Sequence, residues 1–312
     1  MFVIEERQNG AFPLQYRRER LTGLSCTISP GRLLRGLDHP ISAPVPAPTD
    51  CPFCPEHLEA ETPTFSDGTR IRRGESVTFP NRYPFAERHT VGVICRSHEV
   101  EQLTVRQLAD ALEGIAASLD GAPGYPSINW NYLASAGASM PHPHLQGLAD
   151  RRPSHVPGLY IDASARYRIR RGRRYRDDLA EHEAGTDRWL FGGEVPFIAS
   201  AVPLGEREVR GLLPVATLEE AGPYLAPLAD GICRVVDLYR SLGTQAFNVA
   251  VFFDRSGSDR GFSAFCSVIA RINPNPGSIS DSAFMERLHQ HPVVMTLPEE
   301  LGARYRMVES EK

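Results

Sequence analysis

The sequence predicts an α+β protein in which helices pack on antiparallel sheets and two similar halves follow one another. Two observations predict this. Residues 76–146 run strand, strand, helix, strand, loop, strand, with short apolar runs bounded by turn residues. Residues 194–272 then run through a comparable order. The halves are set at 1–150 and 151–312, the second carrying an arginine-rich insertion.

The first half opens with Arg17, Arg18, Arg20, Arg32 and Arg35, and Ser29-Pro30-Gly31 gives a turn before the last two. Guanidinium forks suit phosphate, although a segment like this alone reads as a solvated basic patch. Residues 37–50 are proline-rich and read as irregular. Cys51-Pro52-Phe53-Cys54 is a C-x2-C pair, which presents two thiolates to one metal. It supplies half of a tetrahedral site, with His57, Cys95, His98 and His142 as candidates for the rest. Ser76–Pro84 reads as a strand entering a turn, and His89–Cys95 as a buried strand. Thr104 starts a helix that reaches Leu119, with Leu108, Leu112 and Ile115 on one face. Ser127–Leu133 is the next strand.

In the second half, Arg166, Arg168, Arg170, Arg171, Arg173, Arg174 and Arg176 crowd one segment, read as a solvated, mobile insertion. Glu194–Pro203 and Val209–Pro214 read as strands. Thr217–Leu242 reads as a helix interrupted near Pro223 and Pro227. Phe247–Phe253 and Phe262–Ile272 read as strands, and two closing helices start near Phe284 and Pro298.

The totals exclude several classes. A length of 312 residues fits about two domains at roughly 150 residues each. A formal net charge of -4 gives no reason to expect a nucleic-acid partner. No stretch approaches the roughly 18 apolar residues of a membrane span. Met1–Gly10 shows no apolar run behind a basic segment, so the chain reads as cytoplasmic. The six cysteines are then expected reduced, with Cys26, Cys95, Cys233 and Cys266 as core thiols. His89, His155 and His182 read as surface residues, and Trp130 and Trp189 as core.

The chemistry centres on Gly137-Ala138-Ser139-Met140-Pro141-His142-Pro143-His144-Leu145-Gln146. In an extended chain, His142, His144 and Gln146 share one face. Prolines at the alternate positions point to the edge or exit of a sheet. A neutral imidazole attacks phosphorus and also ligates metals. A nearby amide can hold a phosphate oxygen without adding charge. A histidine pair alone is often only a polar patch; the small residues ahead of it, where a phosphate can approach the backbone, favour a site.

H-P-H-x-Q behind a G-x-S turn, C-x2-C upstream and F-P-N-x-Y-P between them resemble the galactose-1-phosphate uridylyltransferase family. This is the transferase branch of the histidine-triad superfamily. The resemblance implies two histidine-triad-like halves, the second degenerate, each an antiparallel sheet with packed helices. It implies His144 as the nucleophile that forms a nucleotidyl-histidine, with Gln146 steadying the phosphoryl group. Ser139 and Asn131 fall where the family contacts phosphate or orients the site. Arg32 and Arg35 match its phosphate-side arginines, and Phe53, Asn81 and Tyr83 its nucleotide-binding positions. Cys51, Cys54, His98 and His142 match one structural zinc site. A second metal, iron or zinc, is expected absent, because the second copy, residues 194–272, has Phe265-Cys266-Ser267-Val268 where a His-x-His would fall. The implied partners are a nucleotide donor (UDP-sugar or UTP, an ADP-sugar second) and a sugar 1-phosphate or phosphate. A homodimer is a further implication. Hydrolytic members carry a histidine at the Gln146 position, so transfer is favoured. A phosphorylase shares the intermediate, and a zinc-stabilised nucleotide-binding protein without turnover is the reading from another class. Arg82 stands where an acidic residue is frequent, and the hexose-phosphate loop is unrecognisable around 283–291, so the resemblance does not specify galactose.

Overall fold

The computed structural model describes residues 1–9, 12–35, 50–98, 103–272 and 282–311. The chain begins with β1 (Phe2–Asn9), β2 (Phe12–Glu19) and β3 (Ser25–Ile28), an antiparallel set that the sequence reading missed. A short turn of helix over Pro30–Arg35 follows. The proline-rich stretch expected to be irregular lies almost wholly outside the described residues. Helix α1 (Pro55–Glu61) starts directly behind Cys54, with proline in its first turn, where a missing N–H costs nothing.

Next come β4 (Ile71–Arg73), β5 (Ser76–Pro80), β6 (Arg88–Val93), α2 (Val105–Ser118), β7 (Tyr125–Tyr132) and β8 (His144–Asp150). Thr104 and Gln107 form a capping box at the start of α2. Leu108, Leu112 and Ile115 are buried as their spacing predicts. Helices α3 (His155–Arg171) and α4 (Tyr175–Glu183) replace the mobile insertion expected there. Tyr160, Tyr175 and Leu179 bury one side of this pair, while Arg168 and Arg174 bond to Asp259 and Arg173 to Glu181. The arginines are thus the outer face of packed helices.

The chain continues through β9 (Trp189–Phe191), β10 (Phe197–Ala199), β11 (Val209–Leu212), α5 (Leu225–Ser241), β12 (Phe247–Phe252) and β13 (Phe265–Ala270). It closes with α6 (Phe284–Arg287), β14 (Val293–Val294) and α7 (Pro298–Ser310). β14 pairs in parallel with β3 to complete a four-stranded sheet. Buried Arg17 of β2 and Arg188 both grip Glu299 at the start of α7.

The strands from β4 to β13 form one antiparallel sheet in the order β4-β5-β6-β8-β7-β12-β13-β11-β10-β9. The register β7·β12 joins the halves, pairing Asn131 with Asn248. Side chains alternate between faces. Ile128, Trp130, Leu145, Val249, Val251 and Val268 face the core under α2 and α5. The opposite face carries His144, Gln146, Asn129 and Asn131 in the first half. The prolines at 141 and 143 precede β8, and β8 lies fourth of ten strands, so the expected sheet edge is instead a central strand. Its ladder starts at His144, just past the residues that cannot donate.

Candidate active site and metal cluster

The turn that delivers the two histidines is built by backbone conformation. Leu133 (φ 71°) and Gly137 (φ 86°) bracket the short helical turn Ala134–Ala136, and both are in the left-handed region. Glycine enters it without a Cβ penalty; Leu133 is held there by the turn hydrogen bonds from Ala136 and Ala138 to its carbonyl. The chain leaves β7, reverses, and returns as β8 with His144 opposite Val93 and Gln146 opposite Val91.

His144 is buried, and its Nδ1 lies 2.8 Å from the carbonyl oxygen of His142. The carbonyl can only accept, so Nδ1 carries the proton and Nε2 keeps its lone pair. Burial holds the ring's pKa below the ordinary imidazole range, and the Nδ1 hydrogen bond works against that shift. The Phe53 ring lies edge-on to His144, 5.3 Å between centroids. Phe53 packs on Leu58, Val77, Phe79, Val91 and Val93, an apolar floor beside the imidazole.

Gln146 is held by a residue that the sequence reading assigned to the surface. His89 is buried, and its Nε2 lies 2.9 Å from Gln146 Oε1. Its Nδ1 lies 3.4 Å from the Phe85 backbone N–H. Asn81 Nδ2 lies 3.0 Å from the same Nε2, and Asn81 Oδ1 accepts from the Tyr83 backbone N–H at 2.8 Å. The signal was parity: His89 stands two before Val91 and four before Val93, on their face of the strand.

The remaining candidates are spread. Asn131 accepts from Asn248 at 2.7 Å. Arg32 lines a cavity of about 290 Å³ together with Asn248, Arg271, Ile269 and Phe284. The Arg35 side chain lies outside the described residues. Tyr83 is 80 % exposed and touches the others only through its backbone. Ser139 is exposed on the loop before Pro141.

Cys51, Cys54, His98 and His142 bring one donor atom each to within 4.8 Å of one another. Cys54 Sγ is 3.1 Å from His98 Nε2, and His142 Nδ1 is 3.2 Å from the same nitrogen. The donor set fits a tetrahedral cation. His142 Nε2 donates to the Cys95 carbonyl at 2.8 Å, which turns the unprotonated Nδ1 into the cluster. Burial lowers the His142 pKa to about 4, so the ring is neutral, as a ligand must be. Burial and then Cys51 raise the Cys54 thiol to about 11; a cation would reverse that. His57 and Cys95 Sγ are not part of the cluster. Cys26, Cys95 and Cys266 are buried thiols, while Cys233 is half-buried.

No family model matches the chain. An uncharacterized protein of Archaeoglobus fulgidus is 26% identical over 272 residues, 84% of this chain and 82% of its own length. An ADP-glucose phosphorylase of Arabidopsis thaliana, with ADP-glucose bound, gives a TM-score of 0.73 at 15% identity, covering 94% of this chain and 98% of that one. A uridylyltransferase gives 0.70 at 17% identity, covering 95% and 98%. A GalT-like protein of Arabidopsis thaliana gives 0.72 at 15% identity, covering 93% and 98%. The chain therefore shares the fold of the uridylyltransferase, ADP-glucose phosphorylase and GalT-like structures. Among the described residues, no helix is long and apolar enough to cross a membrane.

Proposed function

We propose that the chain is a nucleotidyltransferase. It moves a nucleoside monophosphate between a nucleotide donor and a sugar 1-phosphate, or phosphate itself, through a covalent adduct on His144. The observation that carries this reading is the His144 tautomer, with Nδ1–H bound to the His142 carbonyl and Nε2 left as nucleophile. Nε2 attacks the α-phosphorus of the donor. The P–N bond forms as the P–O bond to the leaving group breaks, and the leaving oxygen keeps that electron pair. In the second step an acceptor oxygen attacks the same phosphorus and His144 leaves with its lone pair restored. One site thus serves two substrates in turn.

The Gln146 and Asn131 amides face the transferred phosphoryl group, and Ser139 joins them from the loop. Arg32 and Arg35 meet the charge of the leaving phosphate. Phe53, Asn81 and Tyr83 receive the nucleoside, uridine first and adenosine second. Catalysis is then mostly positioning and charge stabilisation. Cys51, Cys54, His98 and His142 hold one zinc ion, which when bound fixes the strand entry two residues from the nucleophile. The halves at 1–150 and 151–312 are read as copies of one unit. Support comes from matching sequences of elements, β4-β5-β6-α2-β7-β8 and β9-β10-β11-α5-β12-β13, and from the mirrored strand order.

The test is incubation with α-³²P-labelled UTP, UDP-glucose or ADP-glucose, followed by a screen of sugar 1-phosphates and phosphate as acceptors. An acid-labile, base-stable label on His144 is expected. Label that survives in His144→Ala rules out the assignment. Binding without any label is the result for a nucleotide-binding protein with no turnover. Metal analysis should find about one zinc per chain, lost when Cys51 and Cys54 are both replaced by serine.

A further inference from the structure

We infer that Asn248, fixed in turn by Arg271, is a positioning residue that decides which end of the Asn131 amide meets the phosphate; this rests on the nucleotidyltransferase reading. An amide is nearly symmetric in shape, so its orientation must come from its partners. Here they determine it completely. Arg271 Nη1 lies 2.8 Å from one amide terminus of Asn248, and a guanidinium can only donate. That terminus is therefore Oδ1. The other terminus lies 2.9 Å from the Ala136 carbonyl oxygen, which can only accept, so it is Nδ2.

The second N–H of that group meets Asn131 at 2.7 Å. The atom it meets must be an acceptor, Asn131 Oδ1. The Asn131 Nδ2 group, the other arm of the fork, is then left for the His144 side. The register supports this placement. Gln146 pairs with Asn129 and Leu145 with Trp130, so the next step of the ladder brings Asn131 toward His144. Turned this way, Asn131 offers donors to a phosphate oxygen. Turned the other way, it would set a carbonyl oxygen against it.

The arrangement crosses the seam between the halves. Asn248 and Arg271 belong to the second half, whose strand β13 carries Phe265-Cys266-Ser267 in place of a histidine pair, and they act on a residue of the first. Asn248 also anchors the turn Ala134–Ala136 that leads to the two histidines.

The experiment compares Asn248→Asp with Asn248→Ala by single-turnover labelling of His144. Aspartate keeps the shape and the Arg271 contact but can only accept, so Asn131 must turn its NH₂ toward it and present Oδ1 to the phosphate. Alanine removes the director and leaves Asn131 to rotate. The rate at saturating donor should fall about 100-fold in Asn248→Asp and about tenfold in Asn248→Ala, the scale of losing one preorganised donor. The donor concentration for half-maximal rate should change little in either. Loss of packing alone predicts the reverse order, with the isosteric aspartate milder. Arg271→Glu places an acceptor against Asn248 Oδ1 and pushes the same inversion from the other end, so it serves if Asn248→Asp does not fold.

An aspartate variant as fast as the alanine variant, or both at the wild-type rate, overturns the inference. If the wild type forms no adduct, the transferase reading fails separately. The orientation is then read from the Asn131 side-chain amide signals, assigned by their loss in Asn131→Asp. They should shift on adding inorganic phosphate to wild type and not to Asn248→Asp. Equal shifts in both proteins reject the relay.

Discussion

The sheet face that carries His144 continues onto β13 and β11, and there it holds different chemistry. Where β8 and β6 pair His144 with Val93 and Gln146 with Val91, β13 and β11 pair Phe265 with Leu212 and Ser267 with Arg210. In the first half the groups on this face are two imidazoles and amides, and the His144 Nε2 lone pair is left over. In the second half every charge is spent on another protein group. Buried Arg210 donates to Glu208 at 2.9 Å and also to the Tyr160 hydroxyl. Tyr160 and Tyr175 donate to Glu19 at 3.0 and 3.2 Å, and Ser267 donates to Glu208 at 2.7 Å. Helices α3 and α4 cover the whole. One sheet thus carries a stretch with unspent hydrogen-bonding groups and a stretch closed by its own ion network.

The largest expected effect breaks the comparison at its centre. His144→Ala should lower adduct formation by about 10⁴-fold or more while leaving the fold intact. Phe265→Ala, at the matching register position, should do the opposite. Its ring is buried against Tyr160 and Phe252, so truncation should cost about 3–5 kcal/mol of stability and leave the label on His144. Denaturant titration and labelling on both variants check this. An active His144→Ala or an undisturbed Phe265→Ala would erase the distinction between the halves.

Arg210→Met comes next. Methionine fills the space but strands buried Glu208 without its cation and takes one donor from Tyr160. Breaking a buried pair from one side costs about 3–5 kcal/mol. Urea unfolding should show that loss, and the rate of labelling at His144 should hold for the fraction that remains folded.

A smaller test uses two glycines that hold the helices close to the sheet. A Cβ on Gly231 of α5 would strike the Phe197 ring, whereas one on Gly114 of α2 would meet Thr78 Oγ1 at 2.7 Å. Phe197 and Thr78 hold matching places, each paired with a glycine of the next strand, Gly211 and Gly92. At Gly114 one oxygen atom must give by a few tenths of an ångström, whereas at Gly231 a packed ring stands closer still. Gly231→Ala should therefore destabilise by about 1–3 kcal/mol. Gly114→Ala should be close to neutral, because alanine gains up to about 1 kcal/mol in helix propensity. Equal costs would mean that the two interfaces are not packed alike.

What was legible in the sequence follows from these physics. α2 and α5 and the strands around them bury one face, so period and alternation showed through. The C-x2-C pair carried its own spacing, but His98 and His142 reach it only through the fold, and the residues alone left four candidates. β1 and β2 were missed because Glu5, Glu6, Arg7, Arg17 and Arg18 break any apolar alternation. α3 and α4 were missed because arginine dominates their composition while a few aromatic residues hold them down. Asn248 gave no signal, since an asparagine in an apolar strand acquires meaning only opposite Asn131.

His89 supplies the smallest expected effect, and it sharpens the contrast between neutral and charged faces. Burial lowers its pKa, while its bond to Gln146 acts the other way. An unfolded histidine titrates near 6.5. As pH falls through that value, the unfolded chain takes up a proton that the folded chain refuses until lower pH. The unfolded state then binds more protons, so stability is lost as pH falls, and the loss levels off below the folded pKa. His89→Gln removes this titration and keeps a donor within reach of Gln146. Its stability should decline less than that of wild type between about pH 7 and pH 5. Denaturant midpoints across that window measure the difference. Parallel curves would mean that His89 titrates in the folded protein as it does in the unfolded chain, so that burial does not hold it neutral.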